Sequence, residues 1–240
     1  MIILLSPAKT FSKSNVECQT RPIFFKDAYL IVNKLKRFSV TTLAKQMNIS
    51  NNLAKEAYDN YQLFGINEIC AIYAYDGYAF KGFDVYNMTE QAQTYLSSHL
   101  YILSGLYGLV RPFDCITPYR LEIKDKSIKN LYAFWQPKIT RYFTDQHPNE
   151  LFINLASVEY SKVIDKKLNM ITISFYQIID QKYRTISMHA KLMRGKMANH
   201  LITHQVEDIN QIKSILLDGY SYDASKSSKV EIAFSKELTL

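Results

Sequence analysis

The polar side chains best suited to chemistry in this sequence fall in a few short clusters. Ser6-Pro7-Ala8-Lys9-Thr10 follows the apolar run Ile2–Leu5, which sets two hydroxyls and an ammonium group at the end of a predicted strand. Ligands of open α/β sheets commonly meet the chain at such ends. The segment lacks the glycines of a P-loop, and Lys9 fits a phosphate contact and a solvated surface lysine equally well. A second cluster, Leu103–Glu122, holds Ser104, Tyr107, Arg111, Asp114, Tyr119, Arg120 and Glu122. Glycine is scarce, seven in all, yet Gly77, Gly82, Gly105 and Gly108 all fall within Ala71–Asp84 and Leu103–Glu122. Glycines in a chain that otherwise avoids them mark positive φ or close backbone approach, and Pro112 and Pro118 stiffen the second segment. Rigid loops carrying charged and aromatic groups are where function tends to sit. An ordinary turn with paired Arg and Glu has the same spacing. If the cluster does acid–base work, Asp114 and Glu122 are its candidates.

Asn154 stands inside the apolar run Leu151–Leu155, with Ser157 just beyond it. On the predicted helix Ile186–His204, Lys191 and Arg194 lie three apart and share one face, whereas Lys196, His200 and His204 lie four apart and share another. The two histidines have zinc-like spacing, but no Glu completes H-E-x-x-H. A solvated or phosphate-facing helix is the better reading, and no metal or other cofactor is assigned. Cys18, Cys70 and Cys115 are odd in number, widely spaced and without a C-x-x-C pair. That pattern argues against a disulfide framework and against a zinc ribbon, fits a reducing cytosol, and leaves Cys115 incidental. Among 18 tyrosines, Tyr78, Tyr107, Tyr119 and Tyr160 are candidates to stack on bases, and most of the others suit half-buried packing.

The elements that must position these groups follow from periodicity. Strands are predicted at residues 1–5, Ala71–Tyr75, Tyr101–Leu103, Tyr119–Ile123, Leu151–Leu155, Met170–Phe175 and Lys229–Phe234. Helices are predicted near Phe24–Lys36, Val40–Met47, from after Ser50 to Tyr61, Thr89–Leu100, Lys129–Gln146, Ile186–His204 and Val206–Leu217, with Ser50 as an N-cap. Strands and helices alternate without a repeat or a low-complexity linker, which implies one mixed α/β unit with a helical insertion near the N-terminus. The order leaves open whether the sheet is mainly parallel.

Composition sets outer bounds. The chain has 240 residues, 48% hydrophobic and 21% charged, enough for one substantial core. No stretch approaches the roughly 18 apolar residues of a membrane helix, and the opening apolar run is too short for a secretory leader. Lys and Arg exceed Asp and Glu by 29 to 22, a net charge of +7, compatible with a phosphate-rich partner. Iron sites need clustered His, carboxylate or Cys ligands; five scattered His and three isolated Cys supply none, so direct iron binding is disfavoured.

Several segments together carry a resemblance. Ser6–Thr10 resembles the N-terminal S-P-A-K-T signature of the YaaA family of peroxide-stress-response proteins. Leu103–Asp114 followed by Pro118–Glu122 resembles that family's central motif. Leu131–Trp135, Asn154–Tyr160 and the basic block Lys191–Met197 match further blocks in order, and the similarity runs from Met1 to about Tyr222. One departure is Asp76, where many relatives carry Lys; no basic role is expected there. The resemblance implies one family-specific mixed α/β domain over residues 1–240, with a mixed sheet, surrounding helices and a basic cleft. It also implies a helix-hairpin-helix-like insertion at 38–65, resistance to hydrogen peroxide linked to restraint of free iron, and DNA binding in the cytoplasm. The cleft residues would be Ser6, Lys9, Thr10, Ser104, Tyr107, Arg111, Tyr119, Arg120, Asn154 and Ser157. Of these, Ser6, Lys9, Arg111, Arg120 and Asn154 are expected to converge. The hairpin candidate is Thr42–Tyr61, with Met47-Asn48-Ile49-Ser50 as its turn. Asn48 tolerates the left-handed conformation, Ser50 can cap the second helix, and Lys45 and Lys55 add charge beside a phosphate. Lys191, Arg194 and Lys196 form the rival basic face. A structural helical pair remains open at the hairpin, and an enzyme acting on nucleic acid or a nucleotide remains the alternative function.

Overall fold

Ile2–Leu5 is four apolar residues in a row, the pattern of a strand covered on both faces. In the computed structural model of the protein, which describes residues 1–238, this run is β1, wholly buried at the middle of the main sheet. A long strap then leads to three helices, α1 (Phe25–Leu35), α2 (Val40–Met47) and α3 (Asn51–Gln62). The chain continues through β2 (Ile69–Cys70), the single turn α4 (Ala71–Ala74) and α5 (Glu90–His99) into β3 (Leu100–Ser104), β4 (Gly108–Val110) and β5 (Cys115–Ile116). Next come α6 (Leu131–Gln146), β6 (Phe152–Asn154), α7 (Val158–Ser161), β7 (Met170–Ile179) and β8 (Lys182–Arg184). The last elements are α8 (Ser187–Thr203), α9 (Ile209–Ser214), β9 (Ser221–Tyr222) and β10 (Glu231–Glu237).

The main sheet has the order β4-β3-β1-β6-β7-β10-β9, with β8 attached to β7. β3, β1, β6, β7 and β10 run parallel, while β4, β8 and β9 pair antiparallel with their neighbours. The register sets Leu4 beside Tyr101 and Asn154, so Ser6, Ser104 and Asn154 meet at the carboxyl ends of three adjacent strands. A separate two-stranded ladder pairs β2 with β5, Cys70 opposite Cys115. The mixed α/β class and the single domain are as expected, and the sheet proves mostly parallel.

Local expectations fare unevenly. The Val40–Met47 helix matches its predicted limits, and Ser39, Ser50 and Thr89 cap helices by accepting bonds from Thr42, Leu53 and Ala92 N–H groups. Ala71–Tyr75, expected as a strand, is the one-turn helix α4, closed by Tyr75 N–H to the Ala71 carbonyl at 3.1 Å; a short apolar run has no period to distinguish the two. Tyr119–Ile123 alternates buried and half-buried residues as a strand would. Among the described residues it joins no ladder, however, and it lies close against Gly105, whose missing Cβ would stand 2.4 Å from the Leu121 carbonyl oxygen. The expected Val206–Leu217 helix shrinks to α9. The cysteine reading is overturned: Cys18 and Cys115 are disulfide-bonded across a separation of 97 residues. An odd count excludes full pairing only, and spacing along the chain says nothing of the fold bringing a strap and a ladder together.

Candidate functional site

The carboxyl ends of β1, β3 and β6 hold three of the candidate residues in bonded positions. Ser6 Oγ accepts from the Ser157 N–H at 2.8 Å and lies 3.4 Å from Ser157 Oγ. Ser157 in turn caps α7. Asn154 is buried with both ends of its amide engaged: Nδ2 donates to Thr172 Oγ1 at 3.1 Å and Oδ1 accepts from Ala156 N–H at 2.9 Å. Ser104 is also buried, receiving the Leu106 and Tyr107 N–H groups and sharing a 2.7 Å bond with the Tyr119 hydroxyl. Tyr119 continues to the Tyr75 hydroxyl at 3.1 Å. Burial pushes the Tyr119 phenol up to about 12, so the chain Tyr75–Tyr119–Ser104 is a neutral hydrogen-bonded relay beneath the surface. Tyr107 is deeper still, edge-on to Tyr119 and bonded to the Thr117 backbone.

Charge lies above this layer. Lys9 Nζ meets Glu122 Oε1 at 2.5 Å, Lys124 Nζ lies 3.6 Å from Glu122 Oε2, and Lys124 reaches Glu159 Oε2 at 2.8 Å. Both lysine side chains are about 60% exposed, whereas Glu122 and Glu159 are half-buried. Thr10 sits beside this line, its hydroxyl donating to the Asp76 carbonyl while Asp76 N–H returns to the Thr10 carbonyl at 2.9 Å. Lys124, Glu159 and Tyr75 were not singled out from sequence. Lys124 lies just beyond the central motif and Glu159 inside a recognised block, so proximity to those motifs was the signal available.

Arg111 and Asp114 form a different centre. Val110 pairs with Ile102, two residues back from the end of β3, which carries Arg111 away from Lys9. Asp114 is fully buried; it receives Arg111 N–H at 2.8 Å, Arg111 Nε at 3.1 Å, Arg111 Nη2 at 2.9 Å and Thr20 Oγ1 at 2.5 Å. Arg111 also donates to the Arg21 carbonyl. The pair ties the strap to the loop after β4, and Arg111 does not join the Ser6–Lys9 group. Arg120 presents its carbonyl to the Tyr61 hydroxyl, and its half-buried side chain forms no ion pair among the described residues.

The helical pair α2–α3 turns at Asn48, which adopts φ 52 and ψ 54. Ile49 N–H closes α2 on the Ala44 carbonyl at 3.0 Å. Ser50, Asn51 and Asn52 are exposed, and neither helix has an acidic residue in its first turn. Lys45 is exposed, and Lys55 is paired with Asp59 at 2.6 Å. On α8, Lys191 is exposed and Lys196 is paired with Asp218. Arg194 is half-buried, its Nε without a hydrogen-bond partner and its pKa lowered by burial. The rings of His200 and His204 stack 4.1 Å apart. Among the described residues no group of three or more His, Cys, Asp or Glu side chains is arranged to hold a metal, and no helix is long and apolar enough to cross a membrane.

Comparison with known proteins agrees with the motif blocks. A family model described as peroxide stress protein YaaA matches residues 1–226. A protein of Finegoldia magna named UPF0246 protein is 37% identical, covering 99% of both chains. One from Crocosphaera subtropica with the same name is 37% identical over 98% of this chain and all of its own length. A third, from Francisella tularensis subsp. novicida, is 36% identical over the same shares. With a peroxide-stress family model spanning nearly its whole length and relatives matching end to end, the chain belongs to the family of peroxide stress protein YaaA.

Proposed function

We propose that the protein serves the peroxide stress response by binding the DNA phosphate backbone with little sequence preference, protecting DNA and limiting damage linked to free iron. The supporting observation is the turn between α2 and α3. Left-handed Asn48 and N-cap Ser50 leave the first turn of α3 open to solvent with no carboxylate in it. Helix N-termini offer free N–H groups and the positive end of the macrodipole to a phosphate. Lys45 stands in the last turn of α2, and the net charge of +7 adds long-range attraction. Nothing here resembles a helix with base-reading side chains, so contacts to phosphate dominate.

The test is fluorescence anisotropy on duplex and branched DNA with Asn51→Asp/Asn52→Asp. Two carboxylates at the start of α3 favour the helix but repel phosphate. Circular dichroism should show the fold retained while affinity falls by about tenfold or more, with a shallower dependence on salt because the added carboxylates lower the charge that meets phosphate. Unchanged affinity in the folded double variant removes the turn from the interface, and absence of any salt-dependent binding by the wild type removes the reading. The line Lys9–Glu122–Lys124–Glu159 supports a second reading, an enzyme acting on nucleic acid or a nucleotide with Glu122 as general base. Turnover of a labelled oligonucleotide that Glu122→Gln abolishes would favour it.

A further inference from the structure

Three cysteines meet at one edge of the molecule. Cys18 lies on the strap and Cys115 in β5, their Cα atoms 5.1 Å apart; Cys70 is directly opposite Cys115 in the ladder. Cys18 and Cys115 are each partly exposed, whereas Cys70 is wholly buried. Burial pushes the Cys70 thiol up to about 11, so it remains a thiol and reacts slowly.

The disulfide is not all that holds its two halves together. Gln19 N–H donates to the Phe113 carbonyl at 3.0 Å, and Cys115 N–H donates to the Thr20 carbonyl at 2.6 Å. Between them Thr20 Oγ1 is bonded to buried Asp114, which Arg111 holds in place. Three elements of this lock (two backbone bonds and a buried side-chain bond) involve neither sulfur and so do not depend on the sulfur–sulfur bond. The reduced cysteines therefore stay side by side, on surface that a small oxidant reaches.

We propose that Cys18 and Cys115 are a peroxide-reactive thiol pair: a modification site at which hydrogen peroxide closes the disulfide and a dithiol reductant reopens it. One cysteine loses its proton to solvent, and its thiolate sulfur attacks an oxygen of the peroxide. The O–O bond breaks, an S–O bond forms, and the departing hydroxide takes up that proton as water, leaving a sulfenic acid. The second cysteine, likewise deprotonated, attacks the sulfenic sulfur. The S–S bond forms, the S–O bond breaks, and a second water leaves. Two thiols are oxidised and one peroxide is reduced, with no other reactant. Holding the second thiol in place makes this closing step intramolecular and fast, which keeps the sulfenic acid from further oxidation. Closing the bond adds a covalent tie between the strap and β5. None of this chemistry requires the DNA reading, and each can fail alone.

The experiment uses the full chain, reduced with dithiothreitol, freed of reductant and given one equivalent of hydrogen peroxide. It is then denatured in alkylating reagent and mapped by mass spectrometry. The expected result is a linked Cys18–Cys115 peptide, with Cys70 alkylated as a free thiol. Dimedone, which traps sulfenic acids, should label the wild type at least about tenfold less than Cys18→Ser or Cys115→Ser. Thr20→Ala, which loosens the lock while keeping both sulfurs, should be labelled by dimedone more than the wild type. The proposal is overturned if dithiothreitol cannot open the bond in the folded chain, if Cys70 oxidises first, or if dimedone labels the wild type as strongly as the single-serine variants.

Discussion

A methyl group added at Gly195 should cost the protein much of its stability, although glycine is the poorer residue in a helix. Gly195 lies inside α8, where Gly→Ala ordinarily gains about 1 kcal/mol. Here the new Cβ would stand 1.7 Å from the Ala79 carbonyl oxygen and 2.6 Å from the Ala79 carbonyl carbon. Ordinary contact needs about 3.4 Å, so the turn and the helix must part by well over an ångström. The obstacle is backbone and cannot rotate aside, and on its other side Gly82 already lies against Lys196 N, where a Cβ would approach to 2.5 Å. Overpacking of this kind costs about 3 kcal/mol at its usual upper end. Partial exposure of Phe80, now buried in the same turn, adds about 1–2 kcal/mol. Subtracting the helical gain leaves a net loss of roughly 3–4 kcal/mol. At about 2–4 °C per kcal/mol for a chain of this size, Tm should fall by roughly 6–16 °C. Thermal unfolding followed by circular dichroism measures it, with Lys191→Ala on the exposed side of α8 as a control expected within about 0.5 kcal/mol of wild type. A Gly195→Ala protein as stable as the wild type, or more so, would refute the close docking of turn on helix.

The buried relay yields another prediction. Tyr119→Phe strands the Tyr75 hydroxyl without its partner and should cost about 1–3 kcal/mol, whereas Tyr75→Phe/Tyr119→Phe should recover part of the loss; urea unfolding of the three proteins decides it, and a double variant weaker than the sum of the singles counts against the relay. Gly105→Ala should force Leu121–Ile123 off their seat and cost about 1–3 kcal/mol by overpacking; urea unfolding measures it, and wild-type stability would mean that Gly105 does not seat this segment. Asp223 accepts from Ser225 and Tyr183, and these bonds, those from Ser225 foremost, hold its carboxyl at about 2. That value lies below the unfolded value of about 3.9. A depressed carboxyl contributes stability that is complete above the unfolded value and lost as pH falls through the folded one. The gap in stability between wild type and Asp223→Asn should therefore shrink between about pH 4 and pH 2; a gap constant across that window refutes the assignment.

The sequence disclosed this fold best where one signal acted alone. Ile2–Leu5 read best as a buried strand, and the Ser50 cap marked a helix start because a short hydroxyl side chain satisfies N–H groups that no backbone carbonyl reaches. It disclosed least where two physical solutions share a pattern. Tyr119–Ile123 alternates like a strand, because any extended segment lying on a core shows period two, yet its neighbour is Gly105 rather than a ladder. The candidate site follows the same rule. Ser6 and Asn154 could be expected to converge because both lie at predicted strand ends, where side chains from several strands can meet. Arg111 could not be separated from them, because only the register of β4 shows which way the chain has turned. The Cys18–Cys115 bond was beyond reach, since it depends on where an irregular strap runs.

These placements change what the motif residues can do. A cluster of Ser, Asn, Arg and Asp left an enzyme open as the alternative from sequence, but most of its polar atoms are occupied by the chain itself. Asn154 spends both ends on Ala156 and Thr172, Ser104 holds two N–H groups and Tyr119, and Asp114 is enclosed by Arg111 and Thr20. A nucleophile or base must be able to reach a substrate atom, and buried groups with filled hydrogen bonds do not. What the architecture leaves at the surface is Lys9 and Lys124 on a line of half-buried carboxylates, together with the open start of α3. Ammonium groups and free N–H groups recognise anionic oxygen. The buried part of the motif therefore reads as scaffolding, and the exposed lysines above it are paired with Glu122 and Glu159.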